Sequence, residues 1–160
     1  MIEYRRARQA DIDRLVETRS RFLEEYDGEP YLAQREEIEK NMKDFMPEHM
    51  ETGQLRIFLA EDAGDILATS SVSFFDVLPS ASCKNGKSAY IANVYTVSGA
   101  RGKGIGSRVF QMAFDEALGQ GCSRIVLHAS QMGEPIYRKF GFEKLNNEMV
   151  YMANDTGRND

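Results

Sequence analysis

A chain of 160 residues, 42% of them hydrophobic, has the size of one globular domain and enough apolar material for a full core. No run of about 18 apolar residues is present to span a bilayer, and the charged opening MIEYRRARQADIDR lacks the greasy stretch of a signal peptide, so a cytoplasmic protein with no membrane partner is expected. A net charge of −5 speaks against nucleic acid and for small cationic partners, while Cys83 and Cys122, far apart and without a CxxC spacing, suggest neither a disulfide framework nor a metal site.

In chain order, IEYRRAR alternates and reads as a first strand. DIDRLVETRSRFLEEY then carries Ile12, Leu15, Val16, Phe22 and Leu23 at helical spacing, with Asp11 as cap and Arg19 interrupting the stripe. A second helix is expected from about Leu32, with Ile38, Met42, Phe45 and Met46 on one face, broken or restarted at Pro47. QLRIFLAED and DILATSSVSFFDVL are β-like runs joined by an AG hairpin turn, and AYIANVYTV is a third run after the loop PSASCKNGKS. Ile105, Val109, Met112, Ala113 and Ala117 form a helical stripe closed by GQG. RIVLHA reads as a strand, GEPIYRKF as a short helix stopped at Gly141, and NEMVYM as a last strand, whose exposed edge would be where a homodimer could form. The fold class implied is α/β: a mixed, mostly antiparallel twisted sheet flanked by helices on both faces. Residues 1–153 are expected to form a single domain, with 154–160 a flexible C-terminal tail.

The stretch VSGARGKGIGSRVFQMAF places Gly99, Gly102, Gly104 and Gly106 where a strand gives way to a helix. Glycine is a poor helix former, so its concentration here calls for another reason. The first turn of a helix exposes unpaired N–H groups and a partial positive charge, and glycines let an anion approach the backbone at φ > 0. Arg101 and Lys103 add positive charge to the same mouth. The spacing matches neither GxxxxGK[ST] nor GxGxxG, so neither nucleotide motif is met.

RGKGIG instead matches the R/Q-x-x-G-x-G/A signature of the GCN5-related N-acetyltransferases, and YIANVYTVSGARGKGIGSRVF resembles that family's strand, turn and helix for acetyl-coenzyme A. PIYRKFGFE is similar to its second landmark, a Tyr four residues before a Gly-Phe pair. The resemblance is specific from about residue 88 to 143 and implies the acyl-CoA N-acyltransferase fold, with acetyl-CoA as co-substrate and no metal. It implies that the backbone amides of Arg101, Gly102, Lys103, Gly104, Ile105, Gly106 and Ser107 hold the pyrophosphate. Val94, Tyr95 and Thr96 would pair with the pantetheine arm as an added strand would. Ser98 and Ala100 stand where the family often has Pro and an aromatic, a difference confined to the loop.

By the same resemblance Tyr137 is the general acid for the departing thiolate. A phenol with a pKa of about 10 is a weaker acid than a thiol at about 8.5, so full transfer is uphill by about 2 kcal/mol and the hydroxyl acts mostly as a hydrogen-bond donor. An amine with a pKa of about 10.4 must lose a proton at a cost of roughly 4 to 5 kcal/mol. Many family members carry a carboxylate for this on the strand ahead of the coenzyme, but AYIANV has none; Asp76, Glu25, Glu134 and a water relay all remain open. His49 and His128 have no nucleophile or carboxylate at an informative spacing and read as packing or surface residues, and Phe74, Phe75 and Tyr31 read as core rather than as an acceptor pocket.

The function implied is transfer of the acetyl group of acetyl-CoA to a primary amine by direct attack in a ternary complex. Glu24, Glu25, Asp27 and Glu29 suggest a cationic acceptor such as a polyamine, an amino sugar, a small amine or a protein amine. The empty carboxylate slot keeps a second function in play, a non-catalytic module that binds or senses acyl-CoA.

Overall fold

The computed structural model describes residues 1–153, so the tail expected at 154–160 lies outside the described residues. The chain divides into two units, Met1–His128 and a smaller one that begins at Ala129. The first holds strands β1 (Glu3–Arg6), β2 (Leu55–Asp62), β3 (Asp65–Asp76), β4 (Lys87–Thr96) and β5 (Arg124–Val126). Its helices are α1 (Ile12–Asp27), α2 (Glu29–Leu32), α3 (Arg35–Glu51) and α4 (Ile105–Gly119). The second holds α5 (Glu134–Lys139), with Gly141 at φ 96° just past its end. Among the described residues no helix is long and apolar enough to cross a membrane.

The five strands lie in the order β1-β2-β3-β4-β5, antiparallel except for the parallel pair β4–β5, which α4 connects. This is the mixed, mostly antiparallel sheet the sequence implies. The hairpin between β2 and β3 turns on Ala63 and Gly64, both at positive φ (50° and 89°), as a tight two-residue turn requires. Strand alternation divides the sheet into two faces. Leu55, Ile57 and Leu59 of β2 join Leu15 and Val16 of α1 and Met42, Met46 and Met50 of α3 in one buried cluster. Ala60 and Ala68 join Ile105 and Val109 of α4 on the other face. Helices therefore cover both faces.

Several sequence expectations differ from the structure, and of RIVLHA only Arg124–Val126 is a strand. Pro47 does not break α3, which runs unbroken through it. Proline inside a helix costs about 3 kcal/mol, and the burial of Met46 and Met50 on either side offsets it at about 1.5–3 kcal/mol each. Phe45 is 48% exposed and stacks on His49 at 3.7 Å, because the buried face follows Met42, Met46 and Met50 at four-residue steps. NEMVYM takes no regular secondary structure, with Met149, Val150 and Tyr151 exposed. Four consecutive apolar residues there do not distinguish an extended segment from a strand, and the strand edge on which a homodimer could form is not formed there.

Candidate active site

β3 pairs along β4, but β5 meets β4 only at Ser88, Ala89 and Tyr90. From Ile91 to Thr96, β3 is the sole ladder partner of β4 among the described residues, and the opposite edge carries open backbone groups. A bulge interrupts the ladder at Asn93, which sits at φ 54°, is 7% exposed and has a side-chain carbonyl without a hydrogen-bond partner among the described residues. Asparagine tolerates this left-handed conformation better than most residues, and a bulge bends the strand where it occurs. Val94, Tyr95 and Thr96 follow directly.

Past Val97 a short 3-10 turn buries Ala100, and the chain then passes through Arg101–Gly104 into α4. Gly102 and Gly104 lie at φ 77° and 75°, where a residue with a Cβ would be strained by about 1–2 kcal/mol. Gly106 meets a different demand. A Cβ on it would stand 2.4 Å from the Thr96 hydroxyl oxygen, so glycine lets the first turn of α4 lie against the end of β4. The first backbone hydrogen bond at this helix end runs from the Arg108 N–H to the Gly104 carbonyl at 3.1 Å. The amides of Gly104, Ile105, Gly106 and Ser107 are thus left without helical partners, while the buried Ile105 side chain anchors the turn.

The two cations of the turn differ. Arg101 donates to the Thr96 carbonyl at 2.9 Å and to Glu25 at 2.7 Å, so its side chain braces the turn against α1. Lys103 is exposed, its ammonium 3.4 Å from the Gly99 carbonyl. Glu25 also accepts the Tyr95 hydroxyl at 2.6 Å, and the Tyr95 ring lies 5.5 Å from that of Phe22. Burial and the Glu25 carboxylate push the Tyr95 phenol up to about 12. The hydrogen bonds from Tyr95 and Arg101 hold the Glu25 carboxyl below its usual range, which makes it a weak proton acceptor. A cleft of about 350 Å³ opens here between Arg21, Glu24, Glu25, Tyr95, Val97 and Ser98.

In the second unit Tyr137 is buried on α5, and burial raises its phenol pKa. Its ring meets Phe142 edge-on at 6.3 Å, and a Cβ on Gly133 would come within 2.8 Å of the ring and 3.1 Å of the hydroxyl. Glu134, bonded to Arg138 and facing Lys144, is held below the usual carboxylate range. Asp76 is exposed at the end of β3. His128 shares a hydrogen bond with Tyr90 at 2.9 Å. Of the aromatics expected in the core, Tyr31 is buried, whereas Phe75 is 39% exposed because it lies at the outer end of β3. Sequence reasoning passed over Asn93, Thr96 as the neighbour of Gly106, and Gly133; an Asn inside a β run was the one visible signal among them.

The model of the Acetyltransferase (GNAT) family matches residues 12–142. A predicted acetyltransferase from Clostridium acetobutylicum, solved with acetyl-CoA, is 31% identical over 95% of this chain and 96% of that one, with a TM-score of 0.86. A GCN5-related N-acetyltransferase from Ralstonia eutropha JMP134 is 23% identical (95% and 99% covered, TM-score 0.82). Glucosamine-6-phosphate N-acetyltransferase from Arabidopsis thaliana is 18% identical (95% and 98% covered, TM-score 0.66). These last two share the fold. No curated protein matches the chain. With a family model spanning most of its length and a solved relative that matches it nearly end to end, the chain belongs to the acetyltransferase (GNAT) family.

Proposed function

We propose that residues 1–153 act as a single N-acetyltransferase domain that moves the acetyl group of acetyl-CoA to a primary amine by direct attack in a ternary complex. One observation carries this reading: four amides free of helical partners lie one turn beyond a strand edge that no second strand covers from Ile91 to Thr96. A ligand with a diphosphate at one end and an amide-bearing arm at the other can be held by main chain along its length. Acetyl-CoA, present in the Clostridium structure, has that chemistry. The backbone of Arg101, Gly102, Lys103, Gly104, Ile105, Gly106 and Ser107 would take the diphosphate, and Val94, Tyr95 and Thr96 the arm.

In the reaction the amine nitrogen bonds to the acetyl carbon, the carbon–sulfur bond breaks, and the sulfur takes up a proton as the amine gives one up. Tyr137 has the donor role at the sulfur; its raised pKa keeps the hydroxyl protonated and suits a hydrogen bond to developing charge. Hydrogen-bond partners hold Glu25 and Glu134 below their usual range, which makes each a weak proton acceptor and favours a water relay for the amine proton. The absence of an acid within AYIANV favours the alternative of an acyl-CoA sensor enough to require a test. Calorimetry with acetyl-CoA and a thiol-release screen across amine classes separate the two, since a sensor binds without turnover. Tyr137→Phe should lower kcat on the order of 100-fold while leaving acetyl-CoA affinity within about twofold; unchanged turnover removes Tyr137 from the chemistry.

A further inference from the structure

α1 packs on the sheet through a stripe on which Leu15 and Val16 are buried in the core, and one turn beyond Arg19 the Phe22 ring meets Tyr95. Arg19 occupies the same stripe between them, four residues after Leu15 and three before Phe22. It is half-buried and, among the described residues, makes no hydrogen bond or ion pair. Loss of solvent lowers its pKa, and the polar groups nearest it are the Tyr90 and Tyr31 phenols and the Asp27 carboxylate. A guanidinium partly withdrawn from water with no protein acceptor is poorly compensated. Beside it, Tyr31 on α2 is 2% exposed and its hydroxyl also lacks a partner. A buried hydroxyl left this way has lost its water without compensation.

The sheet beneath is polar on this face. Cross-strand partners share a face, so the pairs Leu55–Ser73, Ile57–Ser71 and Leu59–Thr69 carry the α1 side of β2 onto β3. Ser73–Tyr90, Ser71–Ala92 and Thr69–Tyr95 carry it onto β4. Apolar residues of β2 thus give way to hydroxyls, ending at Tyr90. Tyr90 lies three residues before the bulge at Asn93, a distance on the order of 10 Å, and β4 opens its edge in that interval.

We infer that Arg19, assisted by the Tyr31 hydroxyl, is the counter-ion for a carboxylate on the acceptor, so that the acceptor is an amine that also carries a carboxylate a few bonds away. The inference rests on the transferase reading and names its substrate class. One guanidinium with phenol donors balances a single negative charge, and its planar fork fits the two oxygens of a carboxylate. Asp27 nearby opposes a doubly charged phosphate.

The test uses matched acceptors: L-lysine against cadaverine, β-alanine against its amide, and phosphoethanolamine as the phosphate probe. Both binding to the CoA-loaded protein and thiol release are measured. The carboxylate member of each pair should bind and turn over at least tenfold better. Arg19→Gln should collapse that ratio toward one, Arg19→Lys should keep part of it, and Tyr31→Phe should reduce it about threefold; acetyl-CoA calorimetry on each variant reports that it is folded. Preference for the members without a carboxylate, equal losses on both members in Arg19→Gln, or phosphoethanolamine as the best ligand overturns the inference. Carboxylate binding that depends on Arg19 without turnover sinks the transferase reading alone, and turnover indifferent to the carboxylate sinks only this inference.

Discussion

Where β1, β2 and α1 meet, Arg5 donates to Asp11 at 2.8 and 2.9 Å and to Glu61 at 2.7 Å, while Arg14 reaches Glu61 at 2.9 Å and Asp11 as well. Two cations and two carboxylates close on one another, and Asp11 takes the Arg8 N–H at 2.7 Å in addition. Where β4 gives way to α4, by contrast, Arg101 is bound to Glu25 and Thr96, but four amides and the Lys103 ammonium remain directed at no carboxylate. Both corners are rich in positive charge. In the first it is consumed within the fold and sets the junction of three elements; in the second the surplus is left facing outward, which is the condition for holding an anion.

The largest effect expected from this contrast is on stability at the closed corner. Asp11→Asn leaves Arg5 and Arg14 with Glu61 alone and should cost about 3 kcal/mol, the low end for a buried pair because Arg14 reaches solvent. Tm should fall by roughly 10 °C with acetyl-CoA affinity unchanged; a matching loss of affinity would mean the corners are coupled. The pH dependence has a definite sign. Arg5 above all holds the Asp11 carboxyl well below the usual carboxylate range, and Arg5 and Arg14 lower Glu61 likewise. A depressed folded pKa gives stability that is full above the unfolded value and lost as pH falls toward the folded one. The gap in Tm between the parent and Asp11→Asn should therefore hold from pH 8 to 5 and narrow below about 4. A gap unchanged at pH 3 would assign the loss to packing.

At the open corner the sharpest perturbation is Gly106→Ala, because the new Cβ meets the Thr96 hydroxyl at 2.4 Å. Overpacking of this kind costs about 2 kcal/mol, and because it separates α4 from β4 it should also weaken acetyl-CoA roughly tenfold, which Asp11→Asn does not. Adding Thr96→Ala removes the clashing oxygen and should restore most of both quantities. Strict additivity of the two substitutions would show that the clash is not the cause.

Much of this was legible from the amino-acid order. The apolar periods of α1 and α4, the AG turn and the glycine run after VYTV are local signals, and each became the element it implied. What escaped depends on partners distant in sequence. Asp11 reads as a helix cap, yet its carboxylate is taken by Arg5 and Arg14, and nothing in DIDR foretells Glu61. Arg101 reads as free charge at a phosphate mouth, yet Glu25, on another helix, binds it. Arg19 showed only as a flaw in a stripe; that it lacks a partner among the described residues is a fact of three dimensions.

The smallest predicted effect divides the two cations of the turn. Lys103→Gln removes an exposed charge whose contact with the Gly99 carbonyl is long, so Tm should not move. Acetyl-CoA affinity should fall only about threefold, as for an exposed ion pair. Because such a charge acts through solvent, the loss should be greatest at low ionic strength and vanish near 1 M salt, where the Debye length shrinks to about 3 Å. Arg101→Gln behaves differently on the same argument: it breaks the brace to Glu25 and Thr96, so its penalty should include a lower Tm and should persist in salt. If Lys103→Gln also persists in salt, Lys103 touches the diphosphate directly and the amides of Gly104–Ser107 share its recognition with a side chain.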